Sequence, residues 1–444
     1  MGKGPVARRV LSSSPSPRNL TPVADQSMIK GIKGVKDILP EETPRWRVIE
    51  EAARGAALRY GFQEIRIPIF EVTTLFARSI GATTDIVEKE MYTFADRDGT
   101  SLTLRPEGTA GTVRAFIEHN LAADPLPQKY FYLGPMFRHE RPQAGRLRQF
   151  HQFGVESFGT SDPRADVEVI ALLWCFLSDL SLPDLTLEMN SLGTSVDRAA
   201  YLPVLVSFLK QHDSRLCANC QRRIETNPLR VLDCKVPECR TITDKAPRLT
   251  DHLSAEARVQ FDEVLAGLAV IGIPYQLNHR LVRGLDYYCL TAFEITSTHL
   301  GAQNAVGAGG RYDGLVESLG GPSVPAVGFA VGLERVTLML PERMAPSIRP
   351  SIYVAAFGAE GNRAGVLLLE ALRRAGFSAQ TDYRATSLKA HLRQADRAAC
   401  SFAILLGDDE VKRGSGILRN MQSKAQEELS LKDFPTLLKS RVLG

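Results

Sequence analysis

Residues 129–138 and 150–157 read as two apolar strands joined by the short loop RHERPQAGRLR of residues 138–148. A parallel crossover needs about a dozen residues or more, usually a helix, so the pair is expected to form an antiparallel hairpin with a sheet built around it. Strand side chains alternate, which puts Phe150, Gln152, Gly154 and Glu156 on one face and His151, Phe153 and Val155 on the other. A ring, an amide, a gap and a carboxylate in a row make a poor core face. With Arg138, Glu140, Arg141, Arg146 and Arg148 around the hairpin, they could instead clamp a triphosphate, stack a base and present a carboxylate to a second substrate. A basic hairpin on a solvated sheet face is the competing reading.

Further strand-like runs at 64–69, 102–105, 287–296 and 326–331, with a helical apolar stripe from Arg45 to Tyr60 (Trp46, Ile49, Ala52, Ala53, Ala56), predict an α+β fold rather than regular βαβ alternation. Residues 195–255 read as a polar, helical insertion. Length asks for two or three domains: 444 residues exceed one ordinary core. A joint containing Pro341, Pro346 and Pro350 separates a body, 28–345, from a tail, 349–444, whose strand, stripe, stripe, strand order predicts an α/β domain with a parallel sheet. The formal charge of +4 hides an asymmetry, since fifteen basic and ten acidic residues lie from 349 onward while the body is slightly acidic. Such a tail suits an anionic partner such as nucleic acid. Arg384, Lys389, Arg393 and Arg397 are candidate contacts, though basic residues on a helix are often just solvated. No apolar run reaches the ~18–20 residues of a membrane span. Residues 1–27, basic and rich in Ser and Pro, are expected to be a disordered extension and lack the apolar region of a secretory signal. Seven cysteines, four of them clustered, do not resemble a secreted disulfide framework, so a reducing, cytoplasmic setting is expected.

Six motifs carry a family likeness. FRHERPQAGRLRQFHQFGVE (137–156) resembles motif 2 of class II aminoacyl-tRNA synthetases, and specifically that of the histidyl-tRNA synthetases. GIKGVKDILPEE (31–42), LTLRPEGTA (102–110), LVRGLDYY (281–288), GAGGRYDGL (307–315) and GFAVGLERV (328–336) follow in family order. The resemblance implies a class II core, an antiparallel sheet flanked by helices, with a helical insertion and a C-terminal anticodon-binding domain. It further implies ATP with Mg²⁺, L-histidine and tRNA(His) as partners, and a homodimer with the 45–60 helix at its interface. It assigns Arg138 to the α-phosphate and the amino-acid carboxylate, Glu140 to the adenine amino group, Phe150 to stacking on adenine and Arg146 to the outer phosphates. Arg335 would lie on the nucleotide face opposite Phe150. Arg283 would stand where other enzymes use a metal, against the α-phosphate and histidine. Glu156 and Tyr288 would read the imidazole, Tyr287 shape its pocket, and Glu107, Thr109 and Gln152 hold the amino and carboxylate groups. Such chemistry needs positioning and charge stabilisation rather than a covalent intermediate.

Structural alternatives compete with several of these assignments: Arg283 pairing with Asp286, and Arg335 with Glu334 or Glu317. GAGGRYDGL lacks the GxGxxG spacing and is expected to be a tight turn whose glycines let backbone approach the amino acid. Cys217, Cys220, Cys234 and Cys239, spaced C-x2-C-x13-C-x4-C, could close a tetrahedral zinc site. The intervening TNPLRVLDCK resembles the family's insertion, which usually needs no metal, so inert thiols are the competing reading and no metal ligand is assigned. Non-catalytic, histidine-sensing paralogues of histidine biosynthesis share the core but lack the tail and usually the RGLDYY arginine, both present here.

Overall fold

A computed structural model describes residues 28–81, 84–301, 304–344, 351–385 and 387–442. The expected extension 1–27, and Pro346 and Pro350 of the expected joint, lie outside them. The chain divides into two units, Met1–Pro341 and Glu342–Gly444.

In the first unit the strands are β1 (Gln63–Glu64), β2 (Phe70–Val72), β3 (Tyr92–Ala95), β4 (Ser101–Leu104), β5 (Gln128–Phe137), β6 (Gln149–Phe158), β7 (Leu185–Ser191), β8 (Tyr275–Leu277), β9 (Cys289–Ser297), β10 (Ala305–Arg311) and β11 (Ala326–Gly332). Eight of them form one sheet in the order β1-β5-β6-β11-β10-β9-β7-β8, and β2-β4-β3 form a small one. All inner pairings of the large sheet are antiparallel; its two edge pairings, β1 with β5 and β7 with β8, are parallel. The hairpin β5–β6 sets the register, with Met136 opposite Phe150 and Tyr132 opposite Gly154.

One face of this sheet is dry. Phe153 meets Phe131, Phe176 and Phe329 at ring separations of 6.3, 5.1 and 5.5 Å. Phe176 comes from the helix Pro163–Asp179, which starts where Asp162 accepts the Arg164 N–H at 2.9 Å and Pro163 supplies a preset φ. Burying such a ring contributes roughly 1.5–3 kcal/mol, so by strand alternation β6 turns Phe150 and Gln152 the other way.

Two expectations need correction. Of the run 64–69 only Glu64 lies in a strand, as the last residue of β1. Beyond it Pro68 has no N–H to give, and the buried Arg105 takes the carbonyls of Ile67 and Pro68 at 2.8 and 3.3 Å. The GAGGR segment is not a turn but β10, in the middle of the sheet. Its glycines make room between strands: a Cβ on Gly310 would lie 2.9 Å from the Tyr288 ring and 2.5 Å from the Thr291 carbonyl. Arg311, at the end of β10, is fully buried and ion-pairs with the equally buried Asp166 of the helix Pro163–Asp179.

The insertion contains the helices Ser195–Lys210, Ala218–Thr226, Leu229–Leu232 and Pro237–Thr243. It has no separate core: Leu205, Leu209, Ile224 and Val231 share one buried cluster with Phe158, Tyr288, Ala292 and Tyr312. The helix Ala255–Val270 packs back on Pro163–Asp179.

In the second unit the strands β12 (Ser351–Ala356), β13 (Ser378–Gln380), β14 (Phe402–Leu406), β15 (Ser415–Asn420) and β16 (Gln426–Ser430) run in the order β13-β12-β14-β15-β16. The first three are parallel; β14, β15 and β16 pair antiparallel, so the expected parallel sheet is mixed. The connections after β14 are too short for a crossover. Alternation along β12 sends Ile352 and Val354 toward Leu368 and Leu372 of the helix Ala359–Arg374, and Tyr353 and Ala355 toward Ala395 of the helix Leu388–Arg397.

Candidate active site

A cavity of about 800 Å³ opens on the face of the large sheet that carries Phe150 and Gln152. Of the residues designated from the sequence, Glu107, Thr109, Arg138, Glu140, Arg146, Phe150, Gln152, Arg283, Tyr287, Tyr288 and Arg335 border it, and Glu156 does not. The insertion supplies part of the wall through Cys217, Arg223, Arg230, Asp233 and Cys234.

The hairpin loop prepares the most basic part. Arg138 donates through Nε to the Pro106 carbonyl at 2.8 Å, which sets its guanidinium 5.3 Å from the centre of the Phe150 ring. Glu140 ion-pairs with Arg146 at 2.9 Å and stands 4.0 Å from Arg138. Arg335 donates to the carbonyls of Gly145, at 3.4 Å, and Ala305, so neither Glu334 nor Glu317 is its partner. Glu334 is taken by His151, whose backbone N–H reaches it at 2.9 Å. Burial lowers the pKa of Arg335, and the nearby charges of Arg146 and Arg138 push the same way. Three guanidinium groups crowding one volume favour an anion there.

Arg283 donates to Glu294 at 3.0 Å and lies 5.6 Å from the Tyr288 ring centre. Asp286 instead accepts from Asn227 at 3.2 Å. Burial works against the Arg283 charge, but Glu294, Tyr288 and Asp233 together outweigh it and its pKa lies above the ordinary value. Glu294 was not singled out from the sequence. Its signal was there, one carboxylate within the apolar strand CLTAFEITS, since a buried charge needs a partner. The Nε of Arg283 and the Oε1 of Gln152 are both buried with no hydrogen-bond partner in the protein. Buried polar groups are rarely left so, and these two belong to residues bordering the same cavity.

The carboxylates on the other side are already engaged. Glu107 accepts the backbone N–H groups of Thr109 and Ala110 at 2.6 and 2.9 Å, capping the helix Thr109–Glu118, and burial raises its pKa. Glu156 lies one layer behind the wall, accepting from Thr109 Oγ1 at 2.7 Å, Tyr132 at 3.3 Å and Tyr312. A Cβ on Gly328 would fall 2.0 Å from its Oε2, so the neighbouring strand must carry glycine there. Burial pushes Glu156 from 4.5 up to about 8.

A carboxyl whose folded pKa exceeds its unfolded one binds its proton more tightly when folded. Its contribution to stability is therefore complete below 4.5 and is lost as pH climbs through about 8. Between about pH 5 and pH 8 the thermal midpoint of Glu156→Gln is expected to fall less than that of the wild type, because the amide cannot ionise. Parallel midpoint profiles would show that Glu156 does not titrate in this range.

With this geometry in place, the chain can be set beside known proteins. The sequence model described as histidyl-tRNA synthetase matches residues 34–336, and that described as anticodon binding domain matches 353–441. A histidine–tRNA ligase of Trichlorobacter lovleyi is 50% identical over 403 residues, covering 91% of this chain and 96% of that protein. One of Desulforamulus reducens is 48% identical over 413 residues, covering 92% and 98%. The crystal structure of apo S. aureus histidyl-tRNA synthetase superposes with a TM-score of 0.78 at 38% identity, covering 93% of this chain and all of that one.

Proposed function

The chain belongs to the histidyl-tRNA synthetase family, and on that premise we propose that its cavity joins L-histidine to tRNA(His) at the expense of ATP. The histidine carboxylate attacks the α-phosphorus, pyrophosphate leaves, and histidyl-adenylate remains. The terminal ribose hydroxyl of the tRNA then attacks the histidyl carbonyl and AMP departs. The activity is that of an aminoacyl-tRNA ligase.

The observation that carries this reading is the pair of unpartnered buried atoms, Arg283 Nε and Gln152 Oε1, on residues of a cavity also lined by Arg138, Arg146 and Arg335. In the proposed site Arg138 bridges α-phosphate and carboxylate, Phe150 and Arg335 hold the adenosine between them, Glu140 meets the adenine amino group and Arg146 the outer phosphates. Arg283 stabilises the charge that builds on the α-phosphate. Gln152, Thr109 and Glu107 orient the histidine, Tyr288 and Tyr287 recognise its ring, and Glu156 acts from behind the wall through Thr109, which donates to it. Mg²⁺ would be held mainly by phosphate oxygens and water, in keeping with Glu140 and Glu294 being already paired with arginines.

We assign tRNA contact to the second unit, where Lys389, Arg393 and Arg397 stand exposed at four-residue spacing on one helix. Arg384 is tied to Asp382 at 3.1 Å. We also propose a homodimer. The helix Thr43–Arg59 spends its apolar face (Trp46, Ile49, Ala53, Ala56) inside its own chain. Support for a second copy comes rather from Ile69, Phe70, Val72 and Phe94, exposed beside or on the small sheet. No helix among the described residues is long and apolar enough to cross a membrane. The cytoplasm is the compartment we propose, from the cysteine usage.

Purified protein is expected to exchange pyrophosphate into ATP only when histidine is present, and to charge tRNA(His). Absence of histidine-dependent exchange would sink the reading and leave a histidine-sensing paralogue.

A further inference from the structure

We propose that Cys217, Cys220, Cys234 and Cys239 together bind one structural zinc ion in the insertion. Their four sulfurs lie within 4.8 Å of one another, and those of Cys217 and Cys234 are 3.9 Å apart. Tetrahedral zinc–thiolate bonds of about 2.3 Å place ligand sulfurs about 3.8 Å apart, so the cluster is already close to that geometry. A disulfide would account for two of the thiols and leave the convergence of the other two unexplained. A polynuclear iron–sulfur cluster would hold its thiolates on different metal atoms and so further apart. Soft sulfur ligands also exclude magnesium and calcium.

The local fold explains why the sulfurs converge. Cys217 precedes the helix Ala218–Thr226 and Cys220 lies in its first turn; Cys234 follows Leu229–Leu232, and Cys239 sits inside Pro237–Thr243. Helices this short are marginal on their own, and a shared ion would fasten three of them at one point. The backbone N–H of Cys217 points at Cys239 Sγ at 3.2 Å, the outer-shell hydrogen bond that stabilises a metal-bound thiolate. Cys220, Cys234 and Cys239 are buried and Cys217 is partly so, which shields the centre from competing ligands. Binding releases the thiol protons to solvent.

The centre also touches the catalytic wall. Cys217 and Cys234 border the cavity, and Arg280 donates to the carbonyls of Leu232 and Cys234 at 3.2 and 3.4 Å. Arg280 stands three residues before Arg283, so the ion fixes the part of the insertion against which the LVRGLDYY segment is braced.

Elemental analysis of the full chain, purified under reducing conditions without chelator, tests this whether or not the ligase reading holds. One zinc per chain is expected. Replacement by Co²⁺ should give the intense visible bands of a tetrahedral tetrathiolate, and Cys220→Ser or Cys239→Ser should lose the metal and lower the thermal midpoint. Should either variant fail to fold, thiol counting on the wild type decides: four thiols that resist a thiol reagent should become reactive as one zinc per chain is released. Zinc well below one per chain, iron in its place, or a Cys217–Cys234 disulfide as the resting form would overturn the assignment.

Discussion

Phenylalanine, close to histidine in size but without ring nitrogens, is expected to be activated about 10⁴–10⁵ times less efficiently than histidine, measured as kcat/KM for amino-acid-dependent exchange. The pocket is lined by polar groups that an apolar ring cannot satisfy. Tyr288 is buried at the cavity wall, and one layer behind the wall Glu156, its pKa raised by burial, accepts from the hydroxyls of Thr109, Tyr132 and Tyr312. A phenyl ring would offer no hydrogen-bond partner to the Tyr288 hydroxyl at the cavity border. Discrimination of that size needs no second, editing site, and the insertion is free to be structural. A ratio below about a hundredfold would mean that the ring is read by shape alone.

Arg283→Ala is expected to cost about 10²–10³ in the rate of adenylate formation with ATP affinity nearly unchanged. The argument rests on where its charge is held. Arg283 keeps Glu294 at 3.0 Å on one nitrogen while Nε stays without a partner, so the side chain is positioned before any ligand arrives. Removing it also leaves Glu294 partly buried and uncompensated, which alone could loosen the site. The double variant Arg283→Ala/Glu294→Gln separates the two effects. If the lost charge stabilisation matters, the double variant remains as slow as the single one. If stranded charge is the fault, neutralising Glu294 restores the rate. Near-wild-type exchange in Arg283→Ala would remove it from the chemistry altogether.

What could be read from the sequence follows the range of the interaction involved. The β5–β6 hairpin is legible because its evidence is local: alternation of period two and a loop too short to cross over. The tail's two helices are legible for the same reason, from apolar stripes of helical period. The glycines of β10 misled because a run of glycine ordinarily marks a turn, whereas here the space they leave is filled by Tyr288 from elsewhere in the chain. Partners far apart in sequence stayed hidden for the same reason. Arg105 sits in a motif that resembles an active-site segment, yet its guanidinium serves the carbonyls of Ile67 and Pro135. Arg335 passes over the adjacent Glu334 for backbone carbonyls 30 and 190 residues away.

The common buried layer of Leu205, Leu209, Ile224, Tyr288 and Tyr312 bears on how such a chain can change over time. Residues 195–255 look in sequence like a cassette that could be gained or dropped between strands. Excising them would strip one side of Tyr288 and Tyr312, so the cassette has no clean point of departure. Drift in the insertion and drift in the pocket are therefore coupled, and the lineage of one should track the lineage of the other.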